Sequence, residues 1–193
     1  MTTRRWLYLL LALLLIDLIL FQWWRWEHRE HRYDKLILEA AARYHVDAAL
    51  VKAIIWKESR FDKDARGKAG EIGLMQLREA AAREWASAEA IKNFEQSQLF
   101  DARQNTLAGT WYIRKLLARY RDTDHPVTYA LADYNAGRRN VLRWTPGAAA
   151  KNHVDFLKQM DFPTTKEYVR AVLEHYKRYQ KQFSGKTAAG PLA

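Results

Sequence analysis

Ala48-Ala49-Leu50-Val51-Lys52-Ala53-Ile54-Ile55-Trp56-Lys57-Glu58-Ser59 is followed, after a glycine-punctuated stretch, by Gly73-Leu74-Met75-Gln76-Leu77. The reading of this pair of segments decides the fold. Asp47 stands at the N-cap position, where a side-chain oxygen accepts from an orphan amide of the first turn. Leu50, Ile54 and Glu58 recur every four residues and share one helix face, which Val51 and Ile55 widen. Glu58 therefore continues a stripe that is expected to be buried. Loss of solvation disfavours a charged carboxylate and raises its pKa from about 4.3. Spacing alone also allows a Glu at a helix end, paired with Lys57 or Arg60.

Gly67, Gly70 and Gly73 turn the chain after this helix. Leu74 to Leu77 is then expected to enter a new, alanine-rich helix. The rest of the chain reads as helix after helix. Tyr33 to Tyr44 is one such segment. Asp101 caps another that runs through Arg121, with Leu107, Trp111 and Leu117 as buried candidates. Pro126 starts a short apolar helix ending at Gly137, and Pro146-Gly147 marks a turn. Pro163 and Thr164-Thr165 open a final helix with Tyr168, Val172 and Tyr176 on one stripe. No strand-type alternation and no internal repeat is evident. The fold class expected is all-α.

Taken in order, Glu58-Ser59, Gly73-Leu74-Met75-Gln76-Leu77, Tyr134-Asn135-Ala136-Gly137 and Tyr168 (in Glu167-Tyr168-Val169) resemble the motifs of lytic transglycosylases of the soluble (SLT) type. These enzymes share a fold with goose-type lysozyme, and the resemblance covers roughly residues 36 to 182. It implies a lysozyme-like helical domain in which Glu58 is the single catalytic acid. It further implies that Met75 and Gln76 line the adjacent sugar subsites, that Tyr134 and Asn135 face the cleft, and that Tyr168 points toward the acid. Ser59 matches the serine after the acid, more often a helix-end contact than a sugar ligand. Each match has a plainer structural counterpart. Met75 fills a core gap as methionines do, Gln76 satisfies backbone groups, Tyr134 and Asn135 precede a Gly137 C-cap, and Tyr168 packs in the core. Two positions depart from the family pattern: Gly67 stands where many relatives carry a serine, and Glu71-Ile72 where a small residue is usual.

Ordinary glycosidases use two carboxylates; the resemblance implies one. Glu58 would protonate the oxygen joining N-acetylmuramic acid to N-acetylglucosamine, then take the proton of the C6 hydroxyl as that group attacks and closes a 1,6-anhydro ring. An apolar pocket keeps the lysozyme acid protonated in the same manner, at a pKa of about 6. One alternative is a muramidase-type hydrolase on the same fold, with Glu71, Asp62 or Asp64 activating water. The other is a catalytically weak scaffold that binds peptidoglycan.

Composition sets the wider frame. The 193 residues are 49% hydrophobic, enough for one core plus an appendage. There are no cysteines, so disulfides and thiolate metal sites are excluded. The six histidines form no ligand pattern, and no metal or cofactor is expected. Trp6 to Trp24 is an apolar run interrupted by Asp17 and Gln22, long enough for a bilayer of about 30 Å. Arg4 and Arg5 precede it, and Trp6, Trp23, Trp24 and Trp26 sit near its ends. The reading is one uncleaved N-terminal transmembrane helix, with the catalytic domain facing the periplasm or cell wall, although Arg25, Arg29 and Arg32 lie on the far side. Asp17 near mid-span is a candidate partner contact. The formal charge is +10, of which residues 1 to 35 hold +2 and the remainder +8. A basic domain is drawn to polyanions. Peptidoglycan strands and the lipid bilayer are the expected partners; with no nucleic-acid motif present, nucleic acid is not. The expected organisation is an anchor and juxtamembrane segment at 1–35, a lysozyme-like domain at 36–183 and a disordered tail at 184–193.

Overall fold

A computed structural model describes residues 2–187. The chain divides into two compact units, Met1–Asp34 and Lys35–Ala193. The first unit is essentially one helix, α1 (Thr2–His31). Its large apolar side chains from Leu9 to Phe21 are all more than half exposed. Among the described residues no helix is long and apolar enough to cross a membrane. The side chains of Leu7 and Trp23 to Glu27 lie outside the described set, as do those of Arg4 and Arg5.

The second unit holds α2 (Asp34–Tyr44), α3 (Ala48–Ser59), α4 (Glu79–Ala88), α5 (Ala102–Arg119), α6 (Pro126–Ala136), α7 (Arg138–Arg143), α8 (His153–Gln159) and α9 (Pro163–Thr187), with two short 3-10 turns at Gln96–Phe100 and Gly147–Ala150. The domain is helical, as its sequence periodicity predicts. Its extended pairing, among the described residues, amounts to isolated bridges joining Arg66 to Ile72 and Ile72 to Leu77. A turn at Arg32-Tyr33 separates α2 from α1. The last helix continues through Ser184 to Thr187, beyond the expected start of a tail; residues 188–193 of that tail lie outside the described set.

Helix α3 is the axis of the domain. The Asp47 carboxylate caps it, accepting from the Ala49 amide at 2.8 Å, and also accepts from the Tyr176 hydroxyl at 2.8 Å. Leu50, Val51, Ala53, Ile54 and Ile55 are all 0–1% exposed. Apolar residues on every side make this a core helix, not a surface one. It packs most extensively against α9, where His175 stacks on Trp56 and Tyr168 reaches Glu58. α6 in turn packs on both α5 and α9. Along α5 the buried positions are Leu107, Ile113 and Leu116, while Trp111 and Leu117 stay half-buried. The helix stops abruptly after Ser59 because Arg60 and Phe61 both take left-handed backbone angles, with φ of 53° and 62°. The Arg60 guanidinium folds back over the Trp56 ring. This stop leaves Glu58 in the last turn of a buried helix, at the edge of the core.

Candidate active site

Glu58 opens onto a cleft of about 390 Å³ that is also lined by Gln76, Tyr134 and Asn135. Three separate chain segments meet there, and each is fixed by polar contacts to backbone. Glu58 is half-buried at the end of α3. Burial pushes its carboxyl up to about 7; the nearby negative charge of Glu71 works in the same direction, and a hydrogen bond from Tyr168 works against both. That bond is short, with the Tyr168 hydroxyl donating to Glu58 Oε1 at 2.6 Å. Tyr168 itself is 3% exposed on α9, and burial beside Glu58 holds its phenol well above the ordinary range. It is thus a fixed neutral donor. Burial and the Glu71 charge thus favour the proton on the acid, and the Tyr168 hydrogen bond favours its carboxylate.

The Gly73–Leu77 segment is a tight turn, not the start of a helix. Ile72 and Leu77 exchange backbone hydrogen bonds at 3.0 and 3.1 Å, and α4 begins only at Glu79. Gly73 has φ of +78°, and a Cβ there would lie 2.3 Å from Asn105 Nδ2. Only glycine meets both conditions. Asn105, fully buried on α5, holds the turn: its Nδ2 donates to the carbonyls of Ile72 and Leu99, and its Oδ1 accepts from the Met75 amide at 2.8 Å. Gln76 sits at φ +45°, and its Nε2 donates to the carbonyls of Ala65 and Gly73. Its Oε1 remains as an acceptor at the cleft.

Met75 is fully buried against Gly109 and does not line the cleft. Its contribution is a backbone carbonyl, which accepts from the Tyr134 hydroxyl at 2.7 Å. Ser59 likewise turns inward, its hydroxyl donating to the Ile55 carbonyl at 3.2 Å. These two of the sequence-selected residues belong to the frame of the site. Tyr134 lies beside Glu58 at the end of α6, its phenol held well above the usual range by burial and the acid's charge. Asn135 accepts from the Thr165 hydroxyl at 2.8 Å, which leaves its amide nitrogen toward the cleft.

Sequence reasoning missed Tyr112, Asp133 and Arg78, all of which line the cleft. Tyr112 stacks obliquely on Tyr134 with ring centroids 5.6 Å apart. Asp133 is buried, and its carboxylate accepts from Arg119 at 2.6 Å and from the Tyr120 hydroxyl at 2.7 Å. Arg119 and Asp133 lie on different helices, so no local periodicity announces the pair. Asn105 was missed as well; it stands beside Gln104 and Thr106 near the start of α5, where nothing in the local pattern sets it apart. Asp62 and Asp64 do not line the cleft: Asp62 accepts from the Asp64 amide and Asp64 pairs with Lys63. Glu71 does line it. Burial works upward on Glu71, but hydrogen bonds from backbone and from Arg78 outweigh it and hold the carboxyl below its ordinary value. Among the described residues no group of three or more His, Asp or Glu is placed to hold a metal ion.

A family profile described as the transglycosylase SLT domain matches residues 35–156. The chain is 37% identical over 113 residues to membrane-bound lytic murein transglycosylase F of Desulfosudis oleivorans, a match covering 57% of this chain and 23% of that one. It is 34% identical over 123 residues to membrane-bound lytic murein transglycosylase C of Yersinia pestis, covering 61% of this chain and 34% of that one. The chain therefore spans about a quarter to a third of the length of these curated relatives. Among solved structures, an inactive mutant of the lytic transglycosylase Slt of Pseudomonas aeruginosa superposes with a TM-score of 0.73 at 24% identity, over 80% of this chain and 25% of that one. The 70 kDa soluble lytic transglycosylase of Escherichia coli gives 0.68 at 26% identity, over 81% and 26%. A complex of the 70 kDa soluble lytic transglycosylase with bulgecin A gives 0.69.

Proposed function

The chain belongs to the SLT transglycosylase domain family, and from that premise we propose that it is a membrane-anchored lytic transglycosylase of peptidoglycan, with Glu58 as both acid and base. The observation that carries the reading is a single carboxyl, pushed up to about 7, facing a cleft and bonded to a neutral tyrosine. Protonated Glu58 donates to the oxygen between N-acetylmuramic acid and N-acetylglucosamine, and that bond breaks. The substrate's own acetamido oxygen stabilises the positive charge at the anomeric carbon. Glu58, now a carboxylate steadied by Tyr168, removes the proton of the C6 hydroxyl as its oxygen bonds to the anomeric carbon. The product end is a 1,6-anhydro sugar, and no water is consumed. An internal nucleophile needs no second carboxylate to position it. Gln76, Tyr134 and Asn135 are the residues placed to hold sugar next to the acid.

The hydrolytic alternative requires a base for water. Glu71 is the carboxylate available to it, since that of Asp133 is taken up by Arg119 and Tyr120. Purified peptidoglycan digested by the protein and analysed by mass spectrometry separates the readings. Anhydro ends support the lyase, reducing ends would move the assignment to a hydrolase, and no released fragment would leave a binding scaffold.

Anchoring is supported by α1, whose large apolar side chains from Leu9 to Leu20 are all more than half exposed. An apolar sleeve of that extent is costly in water and at home in lipid. In this reading α1 lies in the cytoplasmic membrane and the catalytic domain faces the wall.

A further inference from the structure

Resting on the reading of this cleft as a peptidoglycan site, we propose that Arg78, aimed by Glu71, is a receptor for a carboxylate on the substituent of the bound muramic acid, and so selects acidic glycan over neutral glycan.

Arg78 is the one cation among the described residues that line the cleft. Its side chain is 66% exposed, whereas that of Glu71 is 20% exposed. Arg78 Nε donates to Glu71 Oε1 at 2.9 Å, and Glu71 Oε2 accepts from the Ala69 amide at 3.0 Å. The Glu71 carboxylate rests directly over Gly67, where an added Cβ would fall 2.2 Å from Oε2 and 2.9 Å from Glu71 Cβ. The bare backbone at Gly67 thus makes room for Glu71, and Glu71 fixes one edge of the Arg78 guanidinium.

That construction is not explained by stability. An exposed ion pair contributes only about 0–1 kcal/mol. It is explained by orientation. A planar guanidinium held through Nε has its orientation fixed, which points its two terminal nitrogens as a fork that suits a second, bidentate carboxylate. The other charges of the cleft do not oppose such a ligand strongly. Asp133 is neutralised by Arg119, and Glu58 retains its proton to about neutrality. Neutral glycans made only of N-acetylglucosamine carry no carboxylate. Muramic acid carries one on its lactyl group, or presents those of the peptide attached there, and these are the two sources of the same chemistry.

The test is binding by the Glu58→Gln protein, which holds ligand without turnover. Three ligands of matched length are titrated: peptide-bearing strands, strands stripped of peptide so that the lactyl carboxylate is free, and strands whose carboxylates have been converted to amides. With Arg78 present, one or both acidic ligands bind about tenfold more tightly than the amidated one, and the pattern identifies which carboxylate is read. Arg78→Gln weakens binding of the acidic strands about tenfold more than binding of the amidated ones, so the preference is lost. Arg78→Lys keeps the charge without the fork and retains only part of it. Glu71→Gln, with the fork no longer aimed, also gives a reduced preference. The assignment is overturned if the Arg78 protein binds all three equally or binds none, or if Arg78→Gln keeps the preference. An unchanged Glu71→Gln would remove the aiming role. Anhydro-product formation by the protein with Glu58 intact is scored separately. Selective binding without product would overturn the proposed reaction and leave the Arg78 assignment standing.

Discussion

At position 58 two neighbours act in opposite directions on the carboxyl, and in the proposed reaction their balance sets the pH at which it can donate its proton. Activity as an acid requires protonated Glu58, so the rate is expected to fall as pH rises through about 7. Tyr168→Phe removes a hydrogen bond that favours the charged form. The alkaline limb of the pH–rate profile is then expected to move to higher pH, with a lower maximum because the carboxylate that acts as base has lost its support. Glu71→Gln removes a repelling charge and should move the same limb to lower pH. Shifts in a common direction would refute this account of the site. Glu58→Gln should lose activity by about 10²–10⁴-fold while the fold, followed by circular dichroism, is retained. The same side chain carries a stability signature. Its folded pKa lies above its unfolded value of about 4.3, so the stabilisation from holding the proton is complete below that value and is lost as pH rises through about 7. Glu58→Gln never ionises. It is expected to match the parent near pH 4 and exceed it at pH 8 by at most about 4 kcal/mol in denaturant titrations.

At the level of elements, the turn from Gly73 to Leu77 shows how a local reading fails for a tertiary reason. Leu74-Met75-Gln76-Leu77 before an alanine-rich run has the composition of a helix start. The folded chain instead bends through left-handed angles at Gly73 and Gln76, because Asn105 on α5 offers partners that a helix would not use. Asn105→Ala would leave the Met75 amide and two carbonyls without their partners. It is expected to cost about 2–4 kcal/mol and to lower kcat by loosening the carbonyl that holds Tyr134. Gly109→Ala tests the other side of the turn. Its Cβ would fall 2.3 Å from Met75 Sδ and 2.8 Å from Met75 Cβ, so a loss of about 1–3 kcal/mol is expected in thermal unfolding, with Met75 forced off its present packing. The helices themselves were far more legible. Asp47, Asp101 and Pro126 mark starts that the folded chain uses, because capping is chemistry between residues two or three apart.

For the molecule as a whole, the two units make separate claims on their surroundings. The full-length protein is expected to sediment with membranes and to need detergent for release. A protein beginning at Lys35 is expected to remain soluble and to cleave peptidoglycan with an unchanged product pattern; fractionation and mass spectrometry check both. Recovery of the full-length protein free in solution without detergent would count against the anchor reading of α1. The amino-acid order alone determined the helical class, the helix starts at Asp47, Asp101 and Pro126, the apolar N-terminal run and Glu58 on a buried stripe, all consequences of periodicity and capping within a turn or two of chain. It also supplied the motif order that pointed to the family. Only the tertiary structure decided which chosen residues face the cleft, turning Met75 and Ser59 into framework and bringing in Tyr112, Arg78 and Asp133. Only it placed Glu71 over Gly67, whereas the motif order already implied that Tyr168 points toward Glu58. The physical reason is that desolvation, charge coupling and steric room belong to groups meeting across the fold, and no spacing along the chain encodes them.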